Sequence, residues 1–336
     1  MTDRMTETTY REAIRQALLD AMQADPSVIL IGEEVGLYGG AYGVTKGLID
    51  LFGANRVIDA PISEAAIVGA AIGAAMTGLR PVAELMYVDF IGMTMDQLAN
   101  QAAKSRYMFG GQISVPMVLR TQGGTGRSAA AQHSQSLEAW VLHTPGLRLV
   151  MPATVNDAYH LLRQSLTQPD PVVFIEHKGL YTMKGTLDTT TPDGAWGQPV
   201  IRREGVDVVI LTYSRMLHES VAAAERLAQS GVQACVIDLR CLNPMDEGPL
   251  VEAVKRTGRA MVVTEGVVTG SVASDIAARL TEMCFDWLEE PILRLGGEDI
   301  PIPVSPLLEK GAIPSSTLIH DTALWLVTRK APPWAA

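Results

Sequence analysis

The sequence predicts an α/β protein made of two doubly wound, parallel-sheet domains. Its 336 residues give a prior of two domains, at roughly 150 residues per domain. Short apolar runs closed by Gly or Pro alternate with stretches of helical period, the pattern of successive βαβ units. The composition, 47% apolar, 19% charged and 5% aromatic, is that of a chain able to pack a core.

A helix is expected over 10–23, with Ile14, Leu18, Ala21 and Met22 on one stripe, before Pro26 forbids continuation. The apolar run 28–31, closed by Gly32, reads as a buried strand that delivers Glu33 and Glu34 at its carboxyl end, where α/β sites lie. Strands at 56–62, 81–87, 115–120, 147–151 and 171–176 then alternate with helices at 63–78, 92–108, 135–142 and 155–166. Between 182 and 205 the chain is rich in Thr, Gly, Asp and Pro and loses apolar periodicity, so a linker is expected. Beyond it, strands at 207–212, 234–239, 260–264 and 292–295 alternate with helices at 217–229, 248–256 and 271–283. The domains are therefore placed at 1–182 and 206–336, joined by 183–205.

The formal net charge is −10 and no basic run exists to track phosphates, which argues against a nucleic-acid partner. Cys235, Cys241 and Cys284 lack CxxC spacing, so neither a disulfide framework nor a thiolate zinc site is expected. Asp3, Glu7, Glu12 and Asp20 interrupt any apolar or basic leader, and no run reaches about 18 apolar residues. A cytoplasmic chain without a membrane span is the expectation.

Three places carry candidate chemistry. In QGGTGRSAA, Gly124, Gly126 and Ala129 fit the GxGxxA spacing of a dinucleotide turn, but no ribose-binding acid follows at the next strand end, and a tight turn is the preferred reading. In DAPISE (59–64), Pro61 fixes the turn, Ser63 is placed to cap the next helix, and Glu64 enters its first turn. The helix dipole alone favours an acid there by about 0.3–1 kcal/mol. Its continuation AAIVGAAIGAAMTG is almost entirely small or apolar, with Gly69 and Gly73 on one face, which marks core or interface. His133 lies among small and neutral polar residues on a loop before a helix, unlike the other five histidines.

IGEEV (31–35), GAYGVTKGL (40–48), DAPISE, GLRPVAE (78–84), AAQHSQS (130–136), DLRCLNPMD (238–246) and VTEG (263–266) occur in this order. Together they resemble the beta subunits of thiamine-diphosphate-dependent 2-oxo acid dehydrogenases, over nearly the whole chain. The resemblance implies a transketolase-like pyrimidine-binding domain followed by a transketolase C-terminal-type domain, in an α2β2 heterotetramer. It implies that Glu64 hydrogen-bonds the aminopyrimidine of thiamine diphosphate and promotes its imino tautomer. Desolvation would then have to oppose the helix dipole that keeps Glu64 ionised. Met86 and Phe90 match positions lining that ring, His133 a histidine that assists acyl transfer to lipoyl, and Glu33 an acid that carries protons between active centres. Gly69–Gly73 matches a glycine-spaced interface helix.

Two departures bear on metals. Gln168 and Asp170 stand where the family often has an Asp-x-Asn pair at a structural potassium, and no GDG motif with a distant Asn holds magnesium and diphosphate; the near match 192–194 lies in the linker. The resemblance therefore implies that the alpha subunit holds magnesium and that this chain has no metal site and half a cofactor site, active only with its alpha partner. The stretch 83–111 looks closer to acetoin dehydrogenase beta subunits than to pyruvate or branched-chain ones. Acetoin cleavage with acetyl transfer to the lipoyl group of an acyltransferase is thus the expected activity. Oxidative decarboxylation of pyruvate or a branched-chain 2-oxo acid is the alternative, and a non-catalytic interaction subunit the rival from another class.

Overall fold

Six parallel strands form the central sheet of the first of two units in this computed structural model, which describes residues 5–329. This unit comprises the chain up to Gly123 together with Trp140–Trp196. Its strand order is Arg148–Val150, Val172–His177, Val118–Gly123, Arg80–Leu85, Val28–Glu33, Val57–Ala60. Strands Val118–Gly123 and Val172–His177 are buried at every residue, as a parallel sheet covered on both faces requires. The helix Tyr10–Ala24 is capped by Thr9, whose hydroxyl accepts from the Glu12 amide, and packs on the helix Val155–Ser165.

The strand expected at 115–120 runs instead over Val118–Gly123, because Pro116 has no amide to give the ladder and pairing starts beyond it. The helix expected over 92–108 is a 3-10 turn Val88–Thr94, a π-helical stretch Asp96–Ala102 and an α-helical end Ala103–Met108. The expected linker also contains structure. Lys184–Asp188 pairs antiparallel with Met5–Thr9, a strand the apolar pattern missed, in a two-stranded ribbon.

Beneath the carboxyl ends of this sheet lies a charged core. Fully buried Arg120 donates to both oxygens of Glu176, at 2.5 and 2.9 Å, and to Glu84 Oε2 at 2.6 Å. Burial pushes the Glu84 carboxyl up, against the pull of Arg120. Asp170 accepts from Arg106 at 2.7 Å and Arg148 at 2.8 Å; those bonds outweigh burial and hold its carboxyl below the usual range.

The second unit comprises Gly124–Ala139 and the chain from Gly197. Its sheet runs Leu293–Gly297, Ala260–Val267, Val208–Thr212, Ala234–Asp238, Val200–Arg203; the first four are parallel and the last antiparallel to its neighbour. Helices Gly248–Thr257 and Val272–Cys284 pack together, as do Met216–Gln229 and Ser316–Thr328. Val200–Arg203 and the helix Ser316–Thr328 lie where no element was expected. Among the described residues no helix is long and apolar enough to cross a membrane.

Candidate functional site

Three neighbouring parallel strands bring Glu33, Glu64 and Met86 to one edge of the first unit. Glu33 ends its strand and pairs in register with Ala60; Glu64 opens the helix Glu64–Met76; Met86 directly follows Arg80–Leu85. Ser63 does not cap that helix: its hydroxyl donates to the Pro61 carbonyl at 2.9 Å, because the turn folds it back on the preceding residues. Asp59 of the same motif instead holds the loop after Glu33, accepting from the amides of Gly36 at 2.6 Å and Leu37 at 3.2 Å. A Cβ on Gly36 would stand 2.6 Å from that carboxylate, so glycine is required there. Burial, and then the charges of Glu64 and Glu34, push the Glu33 carboxyl above its ordinary value. Glu64 itself is half-buried.

Met86 and Phe90 are also half-buried, and both lead back to one buried tyrosine. The Gln122 amide donates to the Met86 carbonyl, and its oxygen lies 3.3 Å from the Tyr181 hydroxyl. Tyr181 donates to Glu176 Oε2 at 2.6 Å and so joins the Arg120 core; burial, then Glu176, keeps the phenol protonated far above its usual pKa. Phe90 meets Tyr87 edge-on at 6.3 Å, the hydroxyls of Tyr87 and Tyr42 lie 3.2 Å apart, and the Tyr42 ring centres 5.0 Å from Tyr181. Glu33, its carboxyl raised, and Glu64 stand close enough for their charges to interact, a pair able to accept hydrogen bonds from a ligand. No group of three His, Cys, Asp or Glu side chains able to hold a metal exists among the described residues.

His133 belongs to the second unit, half-buried on the loop that begins at Gly124. The Gly124 amide donates to the Gln135 carbonyl at 2.9 Å and closes the loop. Three of its other amides are taken by protein carboxylates, which removes the dinucleotide reading: Thr125 donates to Glu265 at 2.6 Å, and Gly126 and Ser128 to Glu309 at 2.9 and 3.1 Å. A cavity of about 420 Å³ opens beside the loop, with Glu265, Glu298 and Asp299 on its wall. Deeper, Glu138 accepts from Tyr213 at 2.8 Å, and burial raises its carboxyl.

Glu33, Glu64, Met86 and Phe90 thus share one unit and His133 lies in the other. Sequence reasoning singled out DAPISE without Asp59's role, and it missed Gln122, Tyr181 and Glu309. Glu309 stands 183 residues from Gly126, so no spacing could reveal it.

Two α/β units of this order and register define a transketolase-type protein. The chain matches the transketolase pyrimidine-binding domain over residues 6–184 and the transketolase C-terminal domain over 197–319. A solved split-gene transketolase, described as an inactive beta4 tetramer, superposes with a TM-score of 0.78 at 19% identity, covering 96% of this chain and 99% of its own. Among characterised relatives, the acetoin:2,6-dichlorophenolindophenol oxidoreductase beta subunit of Cupriavidus necator is 44% identical over 325 residues, 93% of this chain and 95% of that one. The mitochondrial pyruvate dehydrogenase E1 beta-2 subunit of Oryza sativa subsp. japonica is 42% identical, over 92% and 83%. The 2-oxoisovalerate dehydrogenase beta subunit of Bacillus subtilis is 42% identical, over 91% and 94%. The chain belongs to the family of beta subunits of thiamine-diphosphate-dependent 2-oxo acid and acetoin dehydrogenases, an oxidoreductase family.

Proposed function

We propose that this chain is the beta subunit of an acetoin-cleaving dehydrogenase component that passes the acetyl group to the lipoyl group of an acyltransferase. The carrying observation is its 44% identity to an acetoin-oxidoreductase beta subunit along 95% of that subunit, together with the resemblance at 83–111. Thiamine diphosphate, when bound, supplies a nucleophilic carbon and an electron sink.

The chain's own residues prepare that chemistry. Glu64 holds a proton against the aminopyrimidine ring nitrogen and exchanges it during turnover. Met86 and Phe90 wall the ring and exclude water, which favours the neutral, shared-proton form of the contact. Glu33, whose carboxyl burial and the neighbouring charge of Glu64 raise above its ordinary value, supplies a relay acid beside Glu64. His133 would orient the acyl group and give or take a proton as that group moves to the lipoyl acceptor. Magnesium and the diphosphate fall to the alpha subunit of an α2β2 assembly, because magnesium wants oxygen ligands in an octahedron and this sequence has no GDG motif with a distant Asn to supply them.

Reconstitution with an alpha chain, thiamine diphosphate and magnesium, assayed by reduction of dichlorophenolindophenol, tests the reading. Turnover with acetoin and none with pyruvate or 2-oxoisovalerate is expected. Turnover confined to a 2-oxo acid assigns the chain to oxidative decarboxylation, and none with any of the three makes it an interaction subunit.

A further inference from the structure

The loop QGGTGRSAA has the form of an anion grip, and the anion it grips is part of the protein. Gly126 and Ser128 donate their amides to opposite oxygens of Glu309, a carboxylate only 4% exposed, while Thr125 donates to Glu265. Amides two residues apart converging on one carboxylate make the concave backbone nest that elsewhere holds phosphate. The conformation is costly for this sequence. Ser128 and Ala130 sit in the left-handed region at φ 51° and 62°, where a side chain is crowded by its own backbone. Such strain persists only where surrounding contacts over-determine it. The backbone so fixed leads within five residues to His133, whose amide donates to the Ala130 carbonyl at 3.3 Å.

We propose that Glu309 is a positioning residue: its buried carboxylate latches the strained loop and so presents the His133 imidazole in one orientation for acyl transfer. Glu309 acts through the backbone. The inference rests on the reading of His133 as the acyl-transfer residue, and the test separates the two.

Glu309→Gln keeps the size of the side chain and turns one of its two acceptor oxygens into a donor that repels an amide. In the reconstituted assembly, the rate of acetyl transfer to lipoyl, divided by the rate with the artificial acceptor, is expected to fall about tenfold, as loss of a hydrogen bond to a charged group allows. The second readout is trypsin cleavage after Arg127, an exposed residue between the two latched amides. It should rise about fivefold or more against cleavage at the other basic sites, because local opening sets that rate. His133→Ala should lower the same transfer ratio without raising cleavage after Arg127. Glu309→Asp, with its charge on a shorter stem, should give an intermediate ratio, and it replaces Glu309→Gln if that variant does not assemble. The latch is overturned if His133→Ala lowers the transfer ratio while the Glu309 variants change neither ratio nor cleavage. If His133→Ala leaves transfer intact, the role of His133 fails; increased cleavage after Arg127 in the Glu309 variants then still supports the latch.

Discussion

Replacing Glu64 with glutamine keeps the volume of the side chain at the helix start and removes the proton it can exchange. Turnover of the assembled enzyme should fall about a hundredfold or more, the range of general acid–base catalysis, with assembly unchanged by gel filtration. Activity within about tenfold of wild type would refute the role. Glu33 offers a test in pH. Its folded-state pKa is raised, so the folded protein binds this proton more tightly than the unfolded chain does. Stability contributed by the protonated carboxyl is full below the ordinary value of 4.5 and is lost as pH climbs through the raised one. Glu33→Gln should therefore melt with wild type at pH 4 and above it at pH 7, and thermal melts at the two values decide the matter. The same melts on Glu64→Gln should show a narrower window, since Glu64 is one cause of the shift.

The helix Glu64–Met76 buries Ile67, Val68, Ala71, Ile72 and Ala75 against its own unit, and leaves Ala66, Ala70 and Gly73 outward as a small-residue face. A Cβ added at Gly73 meets nothing within 4 Å. Gly73→Ala should stabilise the isolated chain by about 0.5–1 kcal/mol, through backbone entropy and helix propensity, and Gly73→Trp should leave the isolated chain folded while blocking assembly with alpha. Calorimetry and gel filtration read the two effects. Arg120→Met acts in the opposite sense. It strands Glu84 and Glu176 without their cation, at a cost of about 3–5 kcal/mol that should shrink in acid as Glu84, its carboxyl already raised by burial, protonates. The same elements show why parts of the fold were legible in sequence. Val118–Gly123 and Val172–His177 are buried throughout and read as apolar runs. The ribbon strands MTETT and KGTLD are mostly exposed and polar, so hydrophobic pattern could not announce them. At the site, DAPISE was legible because it concentrates turn and acid in six residues. Tyr181 and Glu309 act across distances in sequence that no local pattern records.

For the molecule as a whole, the proposed function makes incompleteness the property to test. The chain belongs to a thiamine-diphosphate-dependent family of beta subunits and has no GDG motif with a distant Asn. Isolated chain should bind thiamine diphosphate weakly and show no acetoin- or pyruvate-dependent turnover; alpha subunit and magnesium together should restore both. Titration calorimetry on the chain alone checks this: a dissociation constant of about 1 μM, roughly −8 kcal/mol, would contradict the half-site.

The ribbon that joins Met5–Thr9 to Lys184–Asp188 also sets a clock on biosynthesis. A ribosome releases the first strand roughly 180 residues before its partner, a wait of roughly 10–40 s at about 5–20 residues per second. All six parallel strands of the first unit have been made once His177 emerges, yet the ladder partner of Met5–Thr9 is still inside the exit tunnel. Meanwhile a lone strand is an invitation to pair with a neighbouring nascent chain. The composition of this one, threonines around Glu7, keeps it hydrated while it waits.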